Sequence, residues 1–113
     1  MAYQNCLRAI PLSTFNAAAL GAAYQEVNTG GLDYSCVLLR INNGGNTAIT
    51  ISFDGTTDHE YLTAGQDLLI NSQTNSSPNN YACQFKRGTI IYVKGTAGAG
   101  TISLSGYYQP IGV

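Results

Sequence analysis

At 113 residues the chain has the length of one domain and not of two. Only 10% of its residues are charged and the net charge is −1, where soluble domains usually carry about 25% charged residues. The basic side chains, Arg8, Arg40, Lys86, Arg87 and Lys94, are too few to build a basic face, which argues against nucleic-acid binding by phosphate neutralisation and against a basic membrane-binding surface.

The dominant pattern is short β-type runs separated by clusters of Gly, Asn, Asp and Ser. Residues 1–5 form a short N-terminal arm. Cys6 to Ile10 reads as a first strand closed by Pro11. Ser13 to Leu20 is either a single helical turn through the Ala run, capped by Ser13 and ended by Gly21, or a loop. Tyr24 to Val27 is a short strand, and Asn28-Thr29-Gly30-Gly31 after it is a turn. Cys36 to Ile41 is a continuous apolar run, which predicts a central strand covered on both faces. Asn42 to Asn46 then predicts a turn, and Ala48 to Phe53 a half-buried strand. In that strand Ile49, Ile51 and Phe53 point one way, and Thr50 and Ser52 the other. The two strands together are the best hairpin candidate in the chain.

Asp54-Gly55 turns the chain again. Glu60 to Leu62 is a short strand, Ala64-Gly65 a turn, and Gln66 to Ile70 a strand. Asn71 to Asn80 is polar throughout and predicts an exposed loop. Tyr81 to Phe85 is a strand, Lys86-Arg87-Gly88 a turn, and Thr89 to Val93 a second central strand. Gly95 to Gly100 connects it to a last strand, Thr101 to Tyr108, with Ile102 and Leu104 on one face. Residues 109–113 form a C-terminal tail. The reading is an all-β domain spanning 1–113: an antiparallel β-sandwich of about eight strands, jelly-roll-like or immunoglobulin-like, with strand order left open.

The cysteines Cys6, Cys36 and Cys83 are far apart and odd in number, which fits neither a zinc site nor a disulfide framework. They read as buried free thiols in a protein made in a reducing cytosol, with one disulfide and one free thiol as the alternative. The stretch after Met1 has no signal-peptide pattern, and the run Ala17 to Ala23 is too short to cross a bilayer.

The densest chemical cluster is Asp54-Gly55-Thr56-Thr57-Asp58-His59-Glu60. Asp54, Asp58 and Glu60 are weak candidates for a cation site, but their spacing does not fit a calcium loop. A polar turn, in which Asp54 and Asp58 bond local backbone N–H groups, is the simpler reading. The one histidine, His59, is the only imidazole base, and no Gly-x-Ser-x-Gly elbow is present. The glycine-rich stretch Gly95 to Gly100 lacks the Lys of a phosphate loop. No catalytic residue, cofactor or small-molecule ligand is expected, and the chain is not expected to be an enzyme.

Eight tyrosines stand against three phenylalanines and no tryptophan. Tyr carries a large apolar face with one polar tip, which suits interfaces and sugar recognition. Tyr3, Tyr61, Tyr81, Tyr107 and Tyr108 are the interface candidates.

Ile41-Asn42-Asn43, Ile49 to His59, Leu62-Thr63-Ala64-Gly65, Lys86 to Gly95 and Gly98 to Tyr108, in that order and spacing, resemble small virion structural proteins of tailed bacteriophages. The resemblance covers roughly residues 36 to 108 and departs from the group in the longer loop Asn71 to Asn80. It implies a protein made in the host bacterial cytoplasm and carried in the virion, decorating or cementing the capsid by protein–protein contacts. The implied partners are the major capsid protein or other virion proteins, and the implied state is a homo-oligomer. A neck, collar or tail component is the alternative. A carbohydrate-binding module for host surface glycans is a further one, with Tyr61, Tyr81, Tyr107 and Tyr108 stacking on sugars and Asp54, Asp58 and Asn79 bonding hydroxyls.

Overall fold

The computed structural model describes residues 8–71 and 85–108. Its strands are β1 (Arg8–Ala9), β2 (Ser13–Asn16), β3 (Gln25–Glu26), β4 (Cys36–Asn43), β5 (Ile49–Ser52), β6 (Glu60–Leu62), β7 (Asp67–Asn71), β8 (Tyr92–Gly95) and β9 (Thr101–Tyr108), with a 3-10 turn at Ala17–Ala19. They form two antiparallel sheets. The first has the order β1-β9-β4-β7, with β2 also paired to β9, and the second has the order β3-β8-β5-β6.

β1 pairs with the Tyr107–Tyr108 end of β9 and β2 with its Thr101–Leu104 end, so the two act as one interrupted strand along one edge. Counting them as one leaves eight strands, which in chain order read 1-8-3-6 in the first sheet and 2-7-4-5 in the second. Among the described residues β5 and β6 are the one pair of consecutive strands that hydrogen-bond to each other. Among the described residues every other pair of consecutive strands lies in different sheets, a Greek-key-like order that a jelly roll shares. An immunoglobulin-like sandwich, which keeps its first two strands in one sheet, is not what forms.

The core lies between the sheets. Leu39 and Ile41 from β4 and Ile102 and Leu104 from β9 face Ile49 and Ile51 from β5, Val93 from β8 and Ile91 just before it, all at most 1% exposed. Burying one such side chain stabilises a fold by about 1.5–3 kcal/mol. Cys36 is a free, buried thiol in this layer, and burial pushes its pKa up. Gly106 faces it from β9, where an added Cβ would lie 2.9 Å from Leu39 and 3.0 Å from Ile10.

Several local expectations change. β4 is not covered on both faces: its burial alternates around an exposed Arg40, and a bulge lies between the Cys36 and Leu38 pairings. β4 and β5 are not a hairpin, because β4 pairs with β7 and β9 while β5 pairs with β6 and β8. The Asn-Gly segment between them is a corner that carries the chain from one sheet to the other. Asn43, completely buried, ties that corner together: its Nδ2 donates to the carbonyls of Thr47 at 2.9 Å and Thr63 at 3.0 Å, and its Oδ1 accepts from Gly45 N–H at 3.1 Å. Ser52 does not face solvent but is fully buried. The Ser13–Leu20 segment divides into β2 and the 3-10 turn, and the cap is Asn16, not Ser13, with its side chain accepting from Ala18 N–H. The expected loop Asn71 to Asn80 (beyond Asn71), most of the expected strand Tyr81 to Phe85, the arm, the tail, and Cys6 and Cys83 lie outside the described residues.

Candidate functional site

The loop from Ser52 to Glu60, on the second sheet, is built on two separate carboxylates. Asp54 Oδ1 accepts from Thr56 N–H and Thr57 N–H, both at 2.8 Å, and from Ser52 Oγ–H at 2.8 Å. Ser52 Oγ in turn accepts from Gly55 N–H at 2.9 Å. Gly55 takes a positive φ of 84° and packs against the Tyr92 ring. Asp54 therefore closes its own turn, as expected of an Asp before Gly.

Asp58 does not bond local backbone. Its Oδ1 accepts from the Tyr24 hydroxyl and lies 3.1 Å from Lys94 Nζ. Lys94 sits 4.6 Å over the Tyr24 ring, an arrangement that adds a cation–π attraction to the ion pair. His59 Nδ1 accepts from Phe53 N–H at 3.0 Å, and its ring tilts against Phe53. That bond leaves the proton of a neutral His59 on Nε2. Glu60 is exposed at the start of β6. Among the described residues no group of three or more His, Cys, Asp or Glu is placed to hold a metal ion.

Hydrogen bonds set the electrostatics of the site. The Thr56 and Thr57 N–H groups and the Ser52 hydroxyl hold Asp54 well below the usual carboxylate range. The Tyr24 hydroxyl and then Lys94 lower Asp58, and Asn42 and then Arg40 lower Asp67. Partial burial and the bond to Asp58 push Tyr24 up to about 12. A carboxylate with a depressed folded pKa stabilises the fold above its unfolded value, near 3.9, and loses that contribution as pH falls through the folded value. Thermal melts should therefore show a Tm that is level from about pH 7 to 5 and falls below about pH 4. Asp54→Asn should lower Tm at neutral pH and flatten the acid slope. A variant that falls as steeply as the wild type would show that the turn does not sense pH.

The tyrosine candidates fall on different surfaces. Tyr61 is 63% exposed on β6. Tyr107 is 37% exposed on the outer face of the first sheet. Tyr108 packs against the core and stacks on exposed Tyr34 with centroids 4.0 Å apart. Tyr3 and Tyr81, like Asn79, lie outside the described residues.

The outer face of the first sheet holds a second feature. Arg40 is paired with Leu69 on one side and Ser105 on the other, while Leu38 is paired with Asn71 and Tyr107. Leu38, Leu69 and Tyr107 share this face with Asn42, Ser103 and Ser105, and the Arg40 guanidinium binds Asp67 at 2.6 Å. Leu69 is 60% exposed, and Leu12, between β1 and β2, is also largely exposed. Arg40 was visible in the sequence only as a charge inside an apolar run, and Leu69 only as a strand residue.

No family model and no curated protein matches the chain. Among solved structures the chain is similar to the Dit (gp 19.1) protein of phage SPP1, described as a paradigm of the hub adsorption apparatus in phages that infect Gram-positive bacteria, with a TM-score of 0.39 and 13% identity. The match covers 93% of this chain and 49% of that one, so the chain spans about half the length of the Dit protein. A likeness this slight carries no argument about function.

Proposed function

We propose that the chain is a non-enzymatic structural protein of a tailed-phage particle, working through protein–protein contacts as a neck or tail component or as a decoration of the capsid. The observation that carries this reading is the outer face of the first sheet, where exposed Leu69 and Tyr107 stand among uncharged polar side chains beside one internally neutralised ion pair. Interface cores are depleted in charge and enriched in aromatic side chains, and this chain has few charges and many tyrosines. The segments that resemble tailed-phage virion proteins fall in large part on the strands β4, β5, β8 and β9 and the corners between them.

Both placements ask the same of the surface and differ in copy number and location. Immunogold labelling of purified particles tests them together. Label clustered at one vertex or along the tail supports the neck or tail placement, and label spread over the shell supports decoration. Particles that lack the chain altogether would overturn the reading. Leu69→Glu should leave the fold intact, because the side chain is exposed, and should deplete the chain from assembled particles.

A further inference from the structure

The outer face of the second sheet carries an open groove of about 460 Å³ lined by Thr50, Asp58, His59, Glu60 and Tyr61. Thr50 is its floor, since it lies directly opposite Tyr61 on β6 and Lys94 on β8. Neighbouring strands are about 4.8 Å apart, so Tyr61 and Lys94 stand roughly 10 Å from one another across that floor.

The two sides differ in kind. Tyr61 offers a mostly exposed ring. Opposite it, Tyr24, Lys94 and Asp58 hold one another in place, and both partners of Asp58 use the same oxygen, Oδ1. Asp58 Oδ2 is thereby positioned with no partner among the described residues, on a side chain 62% exposed. Glu60, exposed at the start of β6, borders the groove but shares its face of the strand with core-facing Ile51.

We propose that this groove binds a neutral pyranose sugar, with the C–H face of the ring on Tyr61 and a hydroxyl donated to Asp58 Oδ2. An aromatic ring buries the apolar face of a flat ligand. Ionised carboxylates only accept hydrogen bonds, so they select a ligand rich in donors. Asp58 and Glu60 border the groove, and Lys94 is already engaged by Asp58 and Tyr24. A phosphate- or carboxylate-bearing polymer would meet net repulsion. The inference does not rest on the virion assignment, and either can fail alone.

The test is an amide-resolved NMR titration of the full chain with methyl glycosides of glucose, galactose, N-acetylglucosamine and rhamnose, to roughly ten times a Kd of order 1 mM. At least one sugar should give saturating shifts confined to Thr50, Asp58 to Tyr61 and Lys94. Tyr61→Ala should abolish the response and Tyr61→Phe retain it. Asp58→Asn should weaken binding about tenfold, and Tyr107→Ala, on the other sheet, should leave it unchanged. A dispersed spectrum of each variant separates lost binding from lost fold. The proposal is overturned if no sugar moves these amides, if Tyr61→Ala binds as the wild type does, or if the groove answers only to glycerol phosphate or tetramethylammonium.

Discussion

Asn43→Ala should cost about 3 kcal/mol of folding stability, an unusually large loss for one polar side chain. Its amide is completely buried at the corner between β4 and β5, where it satisfies the carbonyls of Thr47 and Thr63 and the N–H of Gly45. Removing it leaves several groups unsatisfied at once, and a buried group without its partner costs about 1–3 kcal/mol. Against a total of about 5–15 kcal/mol, that is a substantial fraction. Urea unfolding should show a lower midpoint at unchanged slope. A loss below about 0.5 kcal/mol, the size of an ordinary surface substitution, would mean that the corner is held by backbone alone.

A second large effect separates two causes that usually come together. Gly30 and Gly31 both take positive φ, 89° and 87°. At Gly30 an added Cβ meets nothing within 4 Å. At Gly31 it would lie 2.6 Å from the carbonyl carbon of Gly88 and 2.8 Å from its Cα, and backbone cannot swing aside as a side chain can. The two turns are already locked by Gly88 N–H donating to the Leu32 carbonyl and Leu32 N–H donating to that of Thr89. Gly30→Ala should therefore cost about 1 kcal/mol, the penalty of a left-handed backbone alone. Gly31→Ala should cost about 3 kcal/mol or more, since the turns must separate. Chemical denaturation of both variants side by side reads the difference, and equal losses would remove the close approach from the account.

The elements with period-two alternation were legible from the sequence. Ile49 and Ile51 in β5, Ile102 and Leu104 in β9, and the short β6 all lie where their patterns put them. The link between β4 and β5 misled because Asn and Gly serve a sheet-to-sheet corner for the same reason they serve a hairpin: both tolerate unusual backbone and bond locally. What separates the two cases is which strand each partner finds, and that is settled by residues far along the chain. Asn43 looked like one more turn residue, and nothing local marks it as the buried member of the pair Asn42-Asn43. The Asp54 turn was legible because its bonds reach only two or three residues. Asp58 was not, since its partners Tyr24 and Lys94 come from beside β3 and from β8, which meet only once the strand order is known.

The central position of β9 in the first sheet bears on how the chain folds during synthesis. β9 pairs with β1, β2 and β4, joining Phe15 to Ile102 and Arg8 to Tyr108. Strands made early thus wait for one made much later. Closing such long loops before any contact rewards them makes folding slow, on the scale of milliseconds to seconds for sandwiches of this kind. Until β9 leaves the ribosome, the apolar edge of β4 lacks its partner, and that interval is when the nascent chain is most open to aggregation.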